Sequence, residues 1–407
     1  MRGNAVESIG TGAERAQPML RPAASPLCAV SLATWNRLGD RAAEPNGFFT
    51  AGYSIPAFEL TGKLSNPRLL LATPDAGEKT VIGLLPVVSA WSALRLPVPA
   101  LVAQQPYSPL TVPLLHADRA EEAAGLLIDA ARTSGARVLS LPAMTLDGPA
   151  FAALTAAMDR RGLRPAVHNR HQRAVLDATA EAETYLRETL GGKKLKELRR
   201  QRSRLADKGA VAFTIANTPD RVMPALERFL VLEASGWKGA GGTGLAQAER
   251  DAAFVRTAAA TLSTRGRIEI AELTLNDEVV ASGILIRQCD RVLFFKIAYD
   301  ESRARYSPGV QLTLELTRHY AADPQVALVD STADAGHPMI DHVWRERLTI
   351  ADLLIPTRPN DPIAAAIIGL MAARRSAREG AKRLLRATSN SRRNARDCSA
   401  DRRRLCV

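Results

Sequence analysis

The sequence predicts an α/β (α+β) chain built from two similar units, and three observations carry that expectation. Its 407 residues exceed the roughly 100–200 of one domain. Three apolar runs in the second half, "RIEIAELTL", "VVASGILIR" and "RVLFFKIAY", are joined by links of a few residues that suit only antiparallel neighbours. The order helix, meander, crossover helix, strand, helix, strand then occurs twice. Tyr107-Ser108-Pro109-Leu110 after the first meander is echoed by Tyr306-Ser307-Pro308-Gly309 after the second.

Residues 1–27 hold no continuous apolar segment of signal-peptide length and read as a flexible N-terminus. The first unit, 28–180, opens with a mostly helical stretch around Trp35 and Leu38. "RLLLAT" and "TVIGLLPVVSA" flank a turn and form a hairpin, with a third extended piece from Leu94 to Val102. Ala117 to Gly135 is a helix, because Ala123, Leu126, Leu127, Ala130 and Ala131 share one side. The strand "RVLSLP", the helix "PAFAALTAAMDRRG" and a strand from Pro165 to Leu176 complete this unit.

The second unit, 181–358, begins with a basic helix, Lys193 to Lys208, and the strand "VAFTIA". Helices follow at Pro219 to Ser235 and Leu245 to Arg265, on either side of a glycine-rich loop, and then the meander. The helix after Pro308 presents Leu312, Leu316 and Tyr320 on one face and leads to "VALVDST", placed for a crossover onto the sheet. A short helix "PMIDHVW" and a strand "LTIADLLI" end the unit, and 359–407 is a basic tail, helical and then disordered.

Charge and composition narrow the partners. The formal charge is +12, but residues 372–407 hold twelve Lys or Arg against three acids, leaving 42 basic and 39 acidic side chains elsewhere. Basicity belongs to the tail, and nucleic acid is not the expected partner of the body. No run approaches the ~18 apolar residues of a membrane span, so a cytoplasmic protein is expected, with the tail helix Ile363 to Leu385 a candidate for an anionic inner-membrane surface. Cys28, Cys289, Cys398 and Cys406 make no metal pair, and His337 and His342 lack i,i+4 spacing, so no metal is expected.

The corner at Ser307-Pro308-Gly309 leaves two roles open. It is a plain helix start capped by Ser307, or a site where helix-terminal amides meet an anion such as pyrophosphate. Pro308 has no N–H, so the donors would be Gly309, Val310 and Gln311, with Arg305 adding charge. Leu110 in place of the glycine suggests that the first unit lacks such a site.

The stretches "LRRQRSRLADKGAVAF", "FLVLEASGWKGAGGTGL", "FFKIAYDESRARYSPGVQL" and "DSTADAGHPMIDHVW" resemble the CelD/BcsL-type acetyltransferases of the GNAT superfamily, which are related to the Fem-type transferases with two GNAT domains. The resemblance covers roughly Trp35 to Ile355 in layout and is most specific from Gly192 to Trp344. It implies two tandem GNAT-like domains, the first degenerate, with acetyl-CoA or another acyl-CoA as co-substrate and a small-molecule or sugar amine as acceptor. It also implies a link to cellulose or exopolysaccharide production. Many relatives carry a Tyr-Lys pair where this chain has Ile340-Asp341, so no role is carried over from that lysine.

Such chemistry needs a base for the amine, a donor to the thioester oxygen and a proton for the thiolate. Asp330, Glu272 and Asp300 lie on or at the end of predicted strands. Asp330 is the first candidate base, Glu272 the second, and Tyr306 beside the corner is the candidate proton donor. Lys296, a charge inside "LFFKIAY", either faces substrate with Asp300 or snorkels to solvent. Gly236 to Gly244, with five glycines around Trp237 and Lys238, suits a substrate lid or a plain helix connection. The basic helix holds eight Lys or Arg and is either a solvated face or a contact for an anionic acceptor. Two other functions stay open: a non-catalytic GNAT-like protein binding an anionic polymer or membrane, and a Fem-like transferase using aminoacyl-tRNA.

Overall fold

The structure, a computed structural model, describes residues 26–61, 66–74, 80–103, 107–236, 244–337 and 339–377. In the first half, α1 (Leu32–Asp40) and α2 (Ala51–Thr61) precede β1 (Arg68–Ala72), β2 (Gly83–Ser89), α3 (Ala90–Leu94) and β3 (Ala100–Val102). β4 (Leu114–Leu115), α4 (Ala120–Thr133), β5 (Val138–Thr145), α5 (Pro149–Arg160) and β6 (Ala166–Asp177) follow. The second half runs through α6 (Ala182–Ala206), β7 (Val211–Ala216), α7 (Pro219–Ser235), α8 (Glu249–Ser263), β8 (Ile268–Leu275), β9 (Glu278–Gln288) and β10 (Arg291–Tyr299). It ends with α9 (Pro308–Ala321), β11 (Leu328–Asp330), β12 (Glu346–Pro356) and α10 at 362–377.

Strands from both halves join in one 12-stranded mixed sheet, ordered β1-β2-β3-β5-β12-β6-β11-β10-β9-β8-β7, with β4 paired to β2. The hairpin β1–β2 and the meander β8–β9–β10 are antiparallel, as short links require, and β7 pairs antiparallel with β8 across a long helical connection. Two crossovers make the parallel pairs β3–β5 and β10–β11. Each half then gives its last strand to the other. β6 lies between β12 and β11, and β12 lies between β5 and β6. This exchange fastens the halves through backbone hydrogen bonds as well as side chains.

Three segments differ from the sequence expectation. Leu94 ends α3, and the extended piece narrows to Ala100–Val102, because Pro97 and Pro99 have no N–H for a ladder. Residues 339–343 form turns instead of a short helix, fixed by the burial of Ile340, Val343 and Trp344, whose indole donates to Thr317 Oγ1 at 3.0 Å. The strand after α9 is only three residues long. The helix α6 is also broken at Gly191, where φ is 71°.

The core has two main parts, on opposite faces of β8 to β10. One joins the first half to α7 and α8, and the other packs α6 and α9. In α9, Leu312, Leu316 and Tyr320 are fully buried, which is the face the 3–4 spacing defines.

Candidate functional site

The site is built where β10 leaves its parallel neighbour. β10 and β11 pair only over Arg291–Leu293 and Leu328–Asp330, and β10 then runs six residues further to Tyr299. The Thr332 hydroxyl donates to the Phe294 carbonyl at 2.6 Å and closes the fork. Beyond it, Ile297, Ala298 and Tyr299 form one wall of a cavity of about 410 Å³. On that edge, alternate backbone N–H groups of β10 point away from β9.

The opposite wall is the corner. Ser307 sits at φ 52°, ψ 52° and its side chain makes no cap, so the capping role is not its own. Its carbonyl accepts the Gln311 N–H at 2.9 Å. Of the three expected amide donors, Gln311 is therefore used inside the helix, while Gly309 and Val310 are first-turn amides with no intrahelical acceptor. The Gln311 side chain turns away as well, donating to the Leu198 carbonyl at 2.9 Å and pinning α9 to α6. Ser307, Gly309 and Val310 all line the cavity. Gly309 supplies room, since a Cβ there would stand 2.9 Å from Met339 Sδ and 3.2 Å from Tyr299 Cδ1.

A buried carboxylate closes the third side. Glu233 lines the cavity from α7, and its Oε2 accepts the Leu245 N–H at 2.7 Å. Lys296 Nζ lies 3.8 Å from Glu233 Oε1, and 5.5 Å and 5.9 Å from the centres of the Tyr107 and Phe295 rings. The β9–β10 ladder slips between Phe294 and Lys296, and Lys296 reaches Glu233 of α7 beside this bulge. The Tyr107 hydroxyl donates to Asp251 Oδ2 at 2.5 Å. Burial first, then that bond and the Asp251 and Glu233 charges, push its pKa up. Tyr107 belongs to the first half, so the echo of the corner lies against Lys296 of the second half.

The other sequence candidates are placed elsewhere. Asp330 is fully buried and takes Arg173 Nη2 at 2.7 Å and the Thr332 N–H at 2.8 Å. Glu272 holds the Arg228 guanidinium through two bonds, 2.8 and 2.6 Å. Tyr306 packs in the second core, and the Arg305 guanidinium lies 4.8 Å from its ring centre. None of these four lines the cavity. Asp300 caps the turn before the corner, accepting Ser302 N–H at 2.9 Å and Arg303 Nε at 2.9 Å. Burial acts to raise its pKa, but these bonds outweigh it and hold the carboxyl low. Trp237 and Lys238 lie outside the described residues.

Sequence reasoning missed Glu233, His337 and Met339, which line the cavity, and Tyr107, which lies against Lys296. One signal was available for Glu233: the buried positions Val222, Leu226, Leu230 and Glu233 keep 3–4 spacing in α7, which puts an acid on an apolar face.

Residues 192–336 match the family model described as an acetyltransferase (GNAT) domain. Solved structures share the fold over 80–84% of this chain. The C-terminal domain of a protein assigned as a lysylphosphatidylglycerol synthetase, from Agrobacterium fabrum, superposes with TM-score 0.52 at 13% identity, covering 84% of this chain and 94% of that one. FemX does so with TM-score 0.52 at 12% identity, covering 83% and 98%. A conserved protein of unknown function from Bacteroides thetaiotaomicron gives 0.51 at 15%, covering 80% and 97%. No match to a curated protein was found. The fold is therefore the GNAT fold, a mixed sheet with flanking helices, and the likeness runs through both halves. Among the described residues no helix is long and apolar enough to cross a membrane.

Proposed function

We propose that this chain is an acyl-CoA-dependent N-acyltransferase. The observation that carries the proposal is the cavity where the forked edge of β10 meets the start of α9. The Gly309 and Val310 amides and the helix dipole suit the pyrophosphate of acyl-CoA. The open N–H groups of β10 suit the thioester oxygen, whose negative charge grows in the transition state.

The acceptor amine would enter from the Glu233 side. Its nitrogen attacks the thioester carbonyl carbon, the C–S bond breaks, the amine proton passes to Glu233, and the departing CoA thiolate is protonated from solvent. Lys296, and the Leu245 N–H bound to Glu233 Oε2, hold that carboxylate in place. Asp330 and Glu272 are each committed to an arginine, so we assign the base role to Glu233. A primary amine on a small molecule or sugar is the acceptor class, and amino sugars test the exopolysaccharide link that the sequence resemblance implies.

Calorimetric titration with acetyl-CoA tests the proposal. Wild type is expected to bind one equivalent, and Gly309→Leu, whose side chain fills the cavity, is expected to lose it. Absent binding, or binding equal in the two proteins, contradicts the site. Glu233→Gln should keep acetyl-CoA binding but lose roughly 10²–10⁴ in kcat toward any amine that wild type acetylates. A second proposal, aminoacyl transfer from aminoacyl-tRNA, is supported by the exposed Lys193, Lys194, Lys196, Arg199 and Arg200 on α6. Aminoacyl-tRNA binding that reversal of Lys193 and Lys196 abolishes, without acetyl-CoA binding, would favour it.

A further inference from the structure

A second cavity, also of about 410 Å³, lies far from the corner, between α10 and the face formed by β3, β5, β12 and β6. Its wall contains an acid that the fold has made unusual room for. Asp352 is buried in β12, and the ladders on both its sides slip beside it, toward β5 between Ala351 and Leu353 and toward β6 between Ile350 and Asp352. Ala143 and Asn169, in those slips, both have φ 52°. The Ala143 N–H donates to Asp352 Oδ1 at 2.9 Å. Paired bulges and non-glycine residues at positive φ cost stability and recur where a site is being shaped.

The charges around this acid do not balance within the cavity. Asp352 is engaged by Ala143 and by an ion pair with Arg375 of α10. Arg374 and His168 also line the cavity. Among the described residues Arg374 Nε and His168 Nε2 are buried without a hydrogen-bond partner. Leaving such an atom unsatisfied costs stability, and an acceptor bound at Arg374 Nε removes the cost there. The remaining wall is apolar, chiefly Leu96, Val102, Leu354 and Met371.

We propose that this cavity binds a small amphiphilic oxyanion, a carboxylate or phosphate monoester on a short apolar body. Its oxyanion pairs with Arg374 beside His168, and its body lies against Leu354 and Met371. The ligand then bridges α10 and the sheet, adding to the contacts of Ala364 and Ile367 that already hold the helix. Nothing in this proposal depends on the acyl-CoA site.

Titration of the full chain with hexanoate and with butyl phosphate separates the two headgroups. Saturable one-to-one binding of at least one probe is expected, weakened about tenfold or more by Arg374→Gln through loss of a charge-assisted contact. Met371→Trp, which fills the cavity from the helix, should weaken it similarly, and Gly309→Leu should leave it unchanged. Bound probe should also slow amide exchange across 362–377 in wild type and not in Arg374→Gln, with thermal midpoints confirming that both proteins are folded. No saturable binding of either probe, or equal binding in wild type and Arg374→Gln, would overturn the proposal. So would binding lost in Gly309→Leu alone.

Discussion

The two Tyr-Ser-Pro corners have the same letters and opposite outcomes. At 306–309 the left-handed residue is Ser307, Pro308 starts α9, and Gly309 leaves space that becomes a cavity. At 107–110 the left-handed residue is Tyr107 at φ 60°, and the chain runs on through Thr111 and Val112 to β4 instead of starting a helix. Leu110 is fully buried, and the Pro109 carbonyl accepts Arg173 Nη1 at 3.0 Å. The first corner has thus lost both the room and the helix-terminal amides. What it keeps is Tyr107, which now covers Lys296 in the other half.

The largest expected effect concerns the pair that ties the first corner to the fork. Arg173 bonds both Pro109 and Asp330, so Asp330→Ala leaves a guanidinium buried without its partner. That loss should cost about 3–5 kcal/mol in chemical denaturation, and a cost below about 1 kcal/mol would show that the pair does not tie the first corner to the fork. Leu110→Ala should cost about 2–5 kcal/mol while acetyl-CoA stoichiometry stays at one, because room alone does not restore a helix start. A second equivalent would break the comparison.

Tyr107→Phe is the smallest change, about 1–3 kcal/mol from losing the hydroxyl's bond to Asp251. It carries a pH signature. The folded protein raises the Tyr107 pKa, so its contribution is fully present below the unfolded value near 10 and is lost as pH rises above it. The stability gap between wild type and Tyr107→Phe should therefore narrow above about pH 10, and a gap constant through that range would show that the hydroxyl is not held by burial and Asp251.

Much of the fold was legible because its signals are local. The links Asn276–Glu278 and Gln288–Asp290 leave no topology but hairpins, and the 3–4 spacing of Leu312, Leu316 and Tyr320 marks a buried face. The strand exchange was not legible, because the alternation in β6 and β12 says which face is buried and nothing about which neighbour pairs. At the site, Ser307, Gly309 and Val310 followed from the chemistry of helix starts. Gln311 did not, because its role depends on Leu198, 113 residues away. The preference for acids on strands drew attention to Asp330 and Glu272, whose arginine partners on β6 and α7 no local pattern reveals. Glu233 was readable only by treating an acid on an apolar helix face as a signal.

The most direct test of the difference between the corners is amide hydrogen exchange with and without acetyl-CoA. Ligand should slow exchange across 307–312 and along 295–299, and leave 107–112 unchanged. Slowed exchange at 107–112 in place of 307–312, or no change at either corner, would contradict the assignment of acyl-CoA to the Gly309 corner.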